Sequence, residues 1–155
     1  MLYLLLKSLH VVSVVLFLGN IVTGVFWKRH GDRGDLAARR QAISGLIAAD
    51  RLFTVPSVFA IIATGIGNAL LAHIPILGTP WVLWSIILFG VSGAVFGAKV
   101  GPLQKKLLAN VEAGLAGNWN ESAYRELSRQ WLVWGWIATG APLIVVFLMV
   151  FKPTF

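Results

Sequence analysis

Lys7 and His10 stand three residues apart in the otherwise apolar stretch from Leu2 to Phe26. That spacing puts both on one face of a helix, and ionisable groups inside a bilayer are costly enough to be a functional signal. An imidazole nitrogen can ligate haem iron or another metal, and a lysine beside it can hold a propionate, a quinone oxygen or another anion. The structural alternative is that Lys7 snorkels to the membrane surface and His10 makes one interhelical hydrogen bond. A second iron ligand at the same depth could come only from His73, because His30 follows Lys28 and Arg29 at the far end of the stretch. The match is weak, since His10 lies about 12 Å at helical rise inside the boundary where His73 is expected.

Asn20, with Thr23 and Gly24 one turn on, forms a polar strip opposite in depth to Asp50 and Arg51, which open the second apolar block. Two readings fit: a polar pocket or proton entry, or a hydrogen bond plus an ion pair that sets the register of two helices. The second is the commoner use of such groups. Cysteine is absent, which excludes disulfides, thiolate metal sites, iron–sulfur clusters and cysteine nucleophiles. All six acids fall away from the side of His10, so neither a metal site nor a serine–histidine–acid arrangement can be assembled there.

The elements that must position these residues follow from composition. Of the 155 residues 57% are hydrophobic and 12% charged, against roughly a quarter charged in soluble domains. The apolar residues gather in blocks near residues 2–26, 52–73, 80–100 and 131–151, each of about the 20 residues that span a bilayer. The expectation is one all-α membrane domain over residues 1–155, a polytopic four-helix bundle. The first block is expected to be an uncleaved span, because no basic segment precedes it and no small-residue cleavage site follows it.

Charge sets the expected direction. Segment 28–51 carries six Lys or Arg and segment 99–129 carries five, whereas 72–79 carries none. The positive-inside rule makes the two basic segments cytoplasmic and the bundle N-out/C-out. Both segments show helical periodicity, so the helices should extend beyond the membrane on the cytoplasmic side, with Asp35 as one N-cap and Asn118 with Glu121 as a capping box for the last helix. Pro56 is expected near the start of the second span, where its missing amide proton matters little, and Pro142 should kink the fourth.

Gly93, Gly97 and Gly101 form a small-residue face on the third span, and Gly65 and Gly67 crowd the second. Both suit close helix contact, the former also self-association into a homo-oligomer or room for a flat cofactor. Trp27, Trp81, Trp84 and Trp131 fall at expected boundaries and read as interfacial anchors, whereas Trp134 and Trp136 lie deeper and could line a pocket. The net charge of +7 is juxtamembrane, which points to the lipid bilayer as partner and not to nucleic acid.

Two stretches carry a resemblance: Phe17-Leu18-Gly19-Asn20-Ile21-Val22-Thr23 running to Trp27-Lys28, and Ala49-Asp50-Arg51-Leu52-Phe53-Thr54 with Pro56. Together they resemble the bacterial integral membrane family known as domain of unknown function 2269, which implies a multi-pass protein of the bacterial inner membrane and no particular chemistry. The start, Tyr3-Leu4-Leu5-Leu6-Lys7-Ser8-Leu9-His10, is similar to that of HemJ-type membrane protoporphyrinogen oxidases, with leucine where that family has a tryptophan ahead of the lysine. That similarity implies haem b near His10 and Lys7 and a redox role. The alternative is a non-enzymatic membrane protein, a small transporter or an assembly partner, without cofactor.

Overall fold

The computed structural model describes residues 1–153. The chain forms four long helices: α1 (Leu2–Gly31), α2 (Leu36–Leu71), α3 (Pro80–Leu115) and α4 (Glu121–Phe151), each long and apolar enough to cross a membrane. Their ends are set by local chemistry. Asp35 caps α2 by accepting from the Ala38 amide at 2.8 Å. At the start of α4 the cap is Asn120, which accepts from the Ala123 amide at 3.0 Å, and not the expected Asn118. Asn118 serves the preceding helix. Its amide donates to the Ala113 carbonyl across Gly117, whose φ of +94° a side chain would resist, so α3 ends in a Schellman turn.

The α2 terminus uses the same device with a different residue. The Ile74 amide donates to the Ala69 carbonyl at 2.9 Å, and the left-handed position between them is His73, with φ 52°. Its imidazole is therefore presented from an exposed turn at the end of α2.

Two prolines shape the helix interiors. Pro56 does not begin a helix but sits inside α2, and Pro102 sits inside α3. A proline ring there clashes with the carbonyl four residues back, and both helices widen around it: Asp50–Thr54 and Phe96–Val100 form single π-turns, closed by the Val55 amide on the Asp50 carbonyl and the Gly101 amide on the Phe96 carbonyl. α4 stays helical through the buried Pro142.

Packing divides the molecule into two helical hairpins, α1 with α2 and α3 with α4. They join at the basic end, where the first half of α2 lies along the second half of α3 and a core of Ile43, Leu46, Leu103, Leu107, Val111, Tyr124 and Trp131 is buried. Toward the opposite end Val55–Leu71 and Pro80–Val95 do not approach one another. There the seams are made by small residues and hydroxyls: Gly67 beside Leu6, Gly65 beside His10, and Ser92, which donates to the Ala138 carbonyl at 2.6 Å. Gly93 and Gly97 meet no neighbour within the chain, so the close contacts expected of that glycine face are not made inside the monomer.

A non-glycine residue in the left-handed region costs about 1–2 kcal/mol. His73→Gly should therefore raise the stability of detergent-solubilised protein by about 1 kcal/mol, read as a higher midpoint in a thermal or chemical unfolding curve.

Candidate functional site

At the level of the first π-turn, three helices deliver polar side chains to one point. Asp50, 7% exposed, accepts at Oδ1 from Asn20 Nδ2 on α1 (3.1 Å) and from Thr54 Oγ1 across its own π-turn (2.8 Å), and at Oδ2 from Gln104 Nε2 on α3 (2.8 Å). Asn20 Nδ2 also donates to Thr54 Oγ1 at 2.8 Å. Asn20 and Asp50 are thus brought together, while Arg51 is exposed and forms no ion pair among the described residues. Three donors leave Asp50 with a lone pair on Oδ2, since a carboxylate offers about four acceptor sites.

This node forms part of the wall of a cavity of about 200 Å³ between the hairpins. The remaining wall is mostly aromatic and small: Phe17 and Phe89, whose rings lie 5.5 Å apart, Phe96, Gly90, Gly93 and Trp131. Trp131 is not an interfacial anchor. It is 4% exposed, and its indole N–H is buried without a hydrogen-bond partner among the described residues.

A second polar network closes the basic end beneath the cavity. Lys28, 1% exposed, donates to Asp32 Oδ2 at 2.7 Å and to the Ser128 hydroxyl, and its ammonium lies 5.1 Å from the Tyr124 ring and 5.7 Å from that of Trp131. Tyr124 donates to the other Asp32 oxygen. Burial, reinforced by that carboxylate, pushes the Tyr124 hydroxyl far above its ordinary value and keeps it a donor. Arg39 covers the Tyr124 and Trp119 rings at 5.0 and 5.4 Å and pairs with Glu121 at 3.2 Å. Arg125, first, and Arg39 hold the Glu121 carboxyl below its ordinary value.

His10 and Lys7 lie elsewhere. His10 Nδ1 is 3.0 Å from Thr64 Oγ1, and because the Thr64 hydroxyl donates to the Ala60 carbonyl its oxygen accepts from Nδ1–H. That tautomer puts the lone pair on Nε2, the form in which histidine binds metal ions and haem iron. Lys7 is exposed, its ammonium 5.9 Å from the Tyr3 ring. His10, Lys7 and His73 line neither the central cavity nor the lateral groove between α1 and α4. Nothing pairs His10 with His73. Among the described residues no cluster of three or more His, Asp or Glu could hold a metal ion.

Gln104 and Tyr124 are not marked by the sequence, and Thr54 and Lys28 enter only within the stretches that carry the family resemblance, with no role of their own. Gln104 stood between apolar and basic residues, and Lys28 read as one more boundary cation; only the crossing of helices distant in sequence gives them partners.

Four apolar helices of spanning length, outward-facing aliphatic and aromatic side chains, and polar groups turned inward define a multi-pass integral membrane protein. The model of one family, described as predicted integral membrane protein (DUF2269), matches residues 4–153, and the chain belongs to that family. Comparison with curated proteins and with solved structures returns no match.

Removing the carboxylate should expose how much the fold depends on it. Asp50→Ala strands the donors of Asn20, Thr54 and Gln104, at about 1–3 kcal/mol for each one left buried and unpaired. Asp50→Asn keeps an acceptor oxygen and should cost less. Unfolding midpoints in detergent for the two variants check the order.

Proposed function

We propose that this protein binds a small planar, largely apolar molecule in the cavity between its two hairpins, as a ligand-binding membrane protein. The observation that carries the reading is that Trp131, whose buried indole N–H has no partner among the described residues, lines a ring-sized and mostly apolar cavity together with Phe17, Phe89 and Phe96. An unpaired buried donor costs about 1–3 kcal/mol, and an acceptor on a bound ring recovers it. A cavity of about 200 Å³ is smaller than the roughly 300–1,000 Å³ of drug-sized pockets. It exceeds the engineered cavity of about 150 Å³ that takes benzene. The ligand class is accordingly a single substituted ring, such as a quinone head, accepting from Trp131 and donating, when reduced, to the remaining Oδ2 lone pair of Asp50.

The proposed setting is a bacterial inner membrane with the basic end in the cytoplasm and both termini outside, supported by the asymmetry of Lys and Arg. The exposed Gly97 face of α3 is the surface proposed for self-association.

Tetramethylbenzoquinone is a suitable probe, since quinones quench tryptophan fluorescence on contact. Saturable quenching is expected in the native protein. It should be lost in Gly93→Leu and Gly90→Leu, whose new side chains enter the cavity, and kept in Gly97→Leu, whose side chain faces outward. Quenching that does not saturate, or that all three variants reduce alike, overturns the reading.

A second reading places haem b on His10 and is favoured by the tautomer that Thr64 selects. It requires a Soret band in the purified protein that His10→Ala abolishes and His73→Ala leaves intact. Protein that stays colourless after haem is added sinks that reading and leaves the cavity reading untouched.

A further inference from the structure

A groove of about 540 Å³ runs down the outside of the bundle between α1 and α4. Its walls are apolar, with Val22 and Phe26 on one side and Leu132, Trp136 and Leu143 on the other. Phe26 and Trp136 are both more than half exposed. At the basic end the lining changes character to Arg29, His30 and Arg33.

These three side chains form no ion pair among the described residues. The nearest acids in sequence are already engaged. Asp32 accepts from Lys28 and from Tyr124, and Asp35 caps α2. The imidazole of His30 stacks on Phe26 with ring centroids 6.2 Å apart, which holds it at the junction of the apolar and basic parts. The groove therefore presents uncompensated positive charge directly below a hydrocarbon-lined slot, at the depth where the membrane-spanning part of α1 ends.

We propose that the α1–α4 groove is a binding site for an anionic diacyl phospholipid of the adjoining leaflet. One acyl chain lies along Phe26, Trp136 and Leu143, and the phosphate lies between Arg29 and Arg33. Charge complementarity selects this occupant: a neutral lipid brings no anion, a zwitterionic lipid brings its phosphate together with a tethered cation that two guanidinium groups repel, and a soluble anion would leave the apolar slot empty. Basic pockets between membrane helices recognise anionic headgroups in this way. Val25, Trp131, Gly135 and Thr139 line both the groove and the central cavity, but Arg29 and Arg33 line the groove alone, so variants of the two arginines test this site separately from the ring-binding reading.

The test uses the full chain in detergent, with phosphatidylglycerol and phosphatidylcholine as probes and retained lipid counted by native mass spectrometry. The native protein should retain phosphatidylglycerol in preference. In Arg29→Gln/Arg33→Gln the preference should fall about 25-fold, since each basic residue at a membrane surface contributes a factor of about five. Arg51→Gln and Lys105→Gln, at exposed basic positions of the same end, should leave it unchanged. Phosphatidylglycerol with brominated acyl chains should quench tryptophan fluorescence, and Trp136→Phe should remove part of that quenching. Equal retention of the two lipids by the native protein overturns the proposal. So does an equal loss in the control variants, or bromine quenching indifferent to Trp136.

Discussion

A carboxylate set among apolar helices is tolerated only when most of its acceptor sites are filled, and Asp50 fills three of about four by drawing on three helices at once. Asn20 binds α1 to α2 at one register, and Gln104 reaches across from the other hairpin. Hydrophobic attraction between helices is weak in lipid, because the acyl chains are as apolar as leucine. A directional bond has no such competitor. Asp50 therefore specifies where along their lengths the two hairpins meet, a choice that apolar surfaces sliding past one another would leave open.

The node also accounts for the helix irregularity beside it. The ring of Pro56 forces α2 open by one residue, and the π-turn that results spans Asp50 to Thr54. Within that wider turn the Thr54 hydroxyl reaches Asp50 Oδ1 while still accepting from Asn20. Pro102 imposes the same widening on α3, a few residues before Gln104. Two features that would each weaken a regular helix are thus placed at the one level where side-chain hydrogen bonds compensate. The cavity opens beside them, walled in part by the same Asp50, Thr54 and Gln104.

How much of this was legible in the sequence depended on the range of the interaction. The four long apolar helices and their continuation through the basic segments followed from block hydropathy and local periodicity, and the helices run through those segments. Asn20 and Asp50 could be matched by depth alone. Lys28 could not, because its partners Asp32, Ser128 and Tyr124 become neighbours only when the end of α1 meets the start of α4. Trp131 misled for a related reason: its place at a span boundary suggested an anchor, but helix rotation, which boundary position does not report, turned it inward. Asn118 was assigned to the helix after it when the glycine before it committed it to the helix before it.

The distribution of apolar burial leads to one more consequence. The core of Ile43, Leu46, Leu103, Leu107, Val111 and Tyr124 lies outside the four apolar blocks, at the basic end of the helices, and burial of side chains from water is strongly favourable wherever water surrounds them. Along the spans the same burial would only exchange lipid for protein, so glycine contacts and single hydroxyl bonds suffice to hold each hairpin together. The two hairpins are therefore clamped to each other at the basic end and stay apart at the other, where Val55–Leu71 and Pro80–Val95 do not meet. A cavity between the hairpins persists under these conditions because no water-driven collapse acts to close it. The clamp below and the Asp50 node beside it keep its walls in register while it remains open.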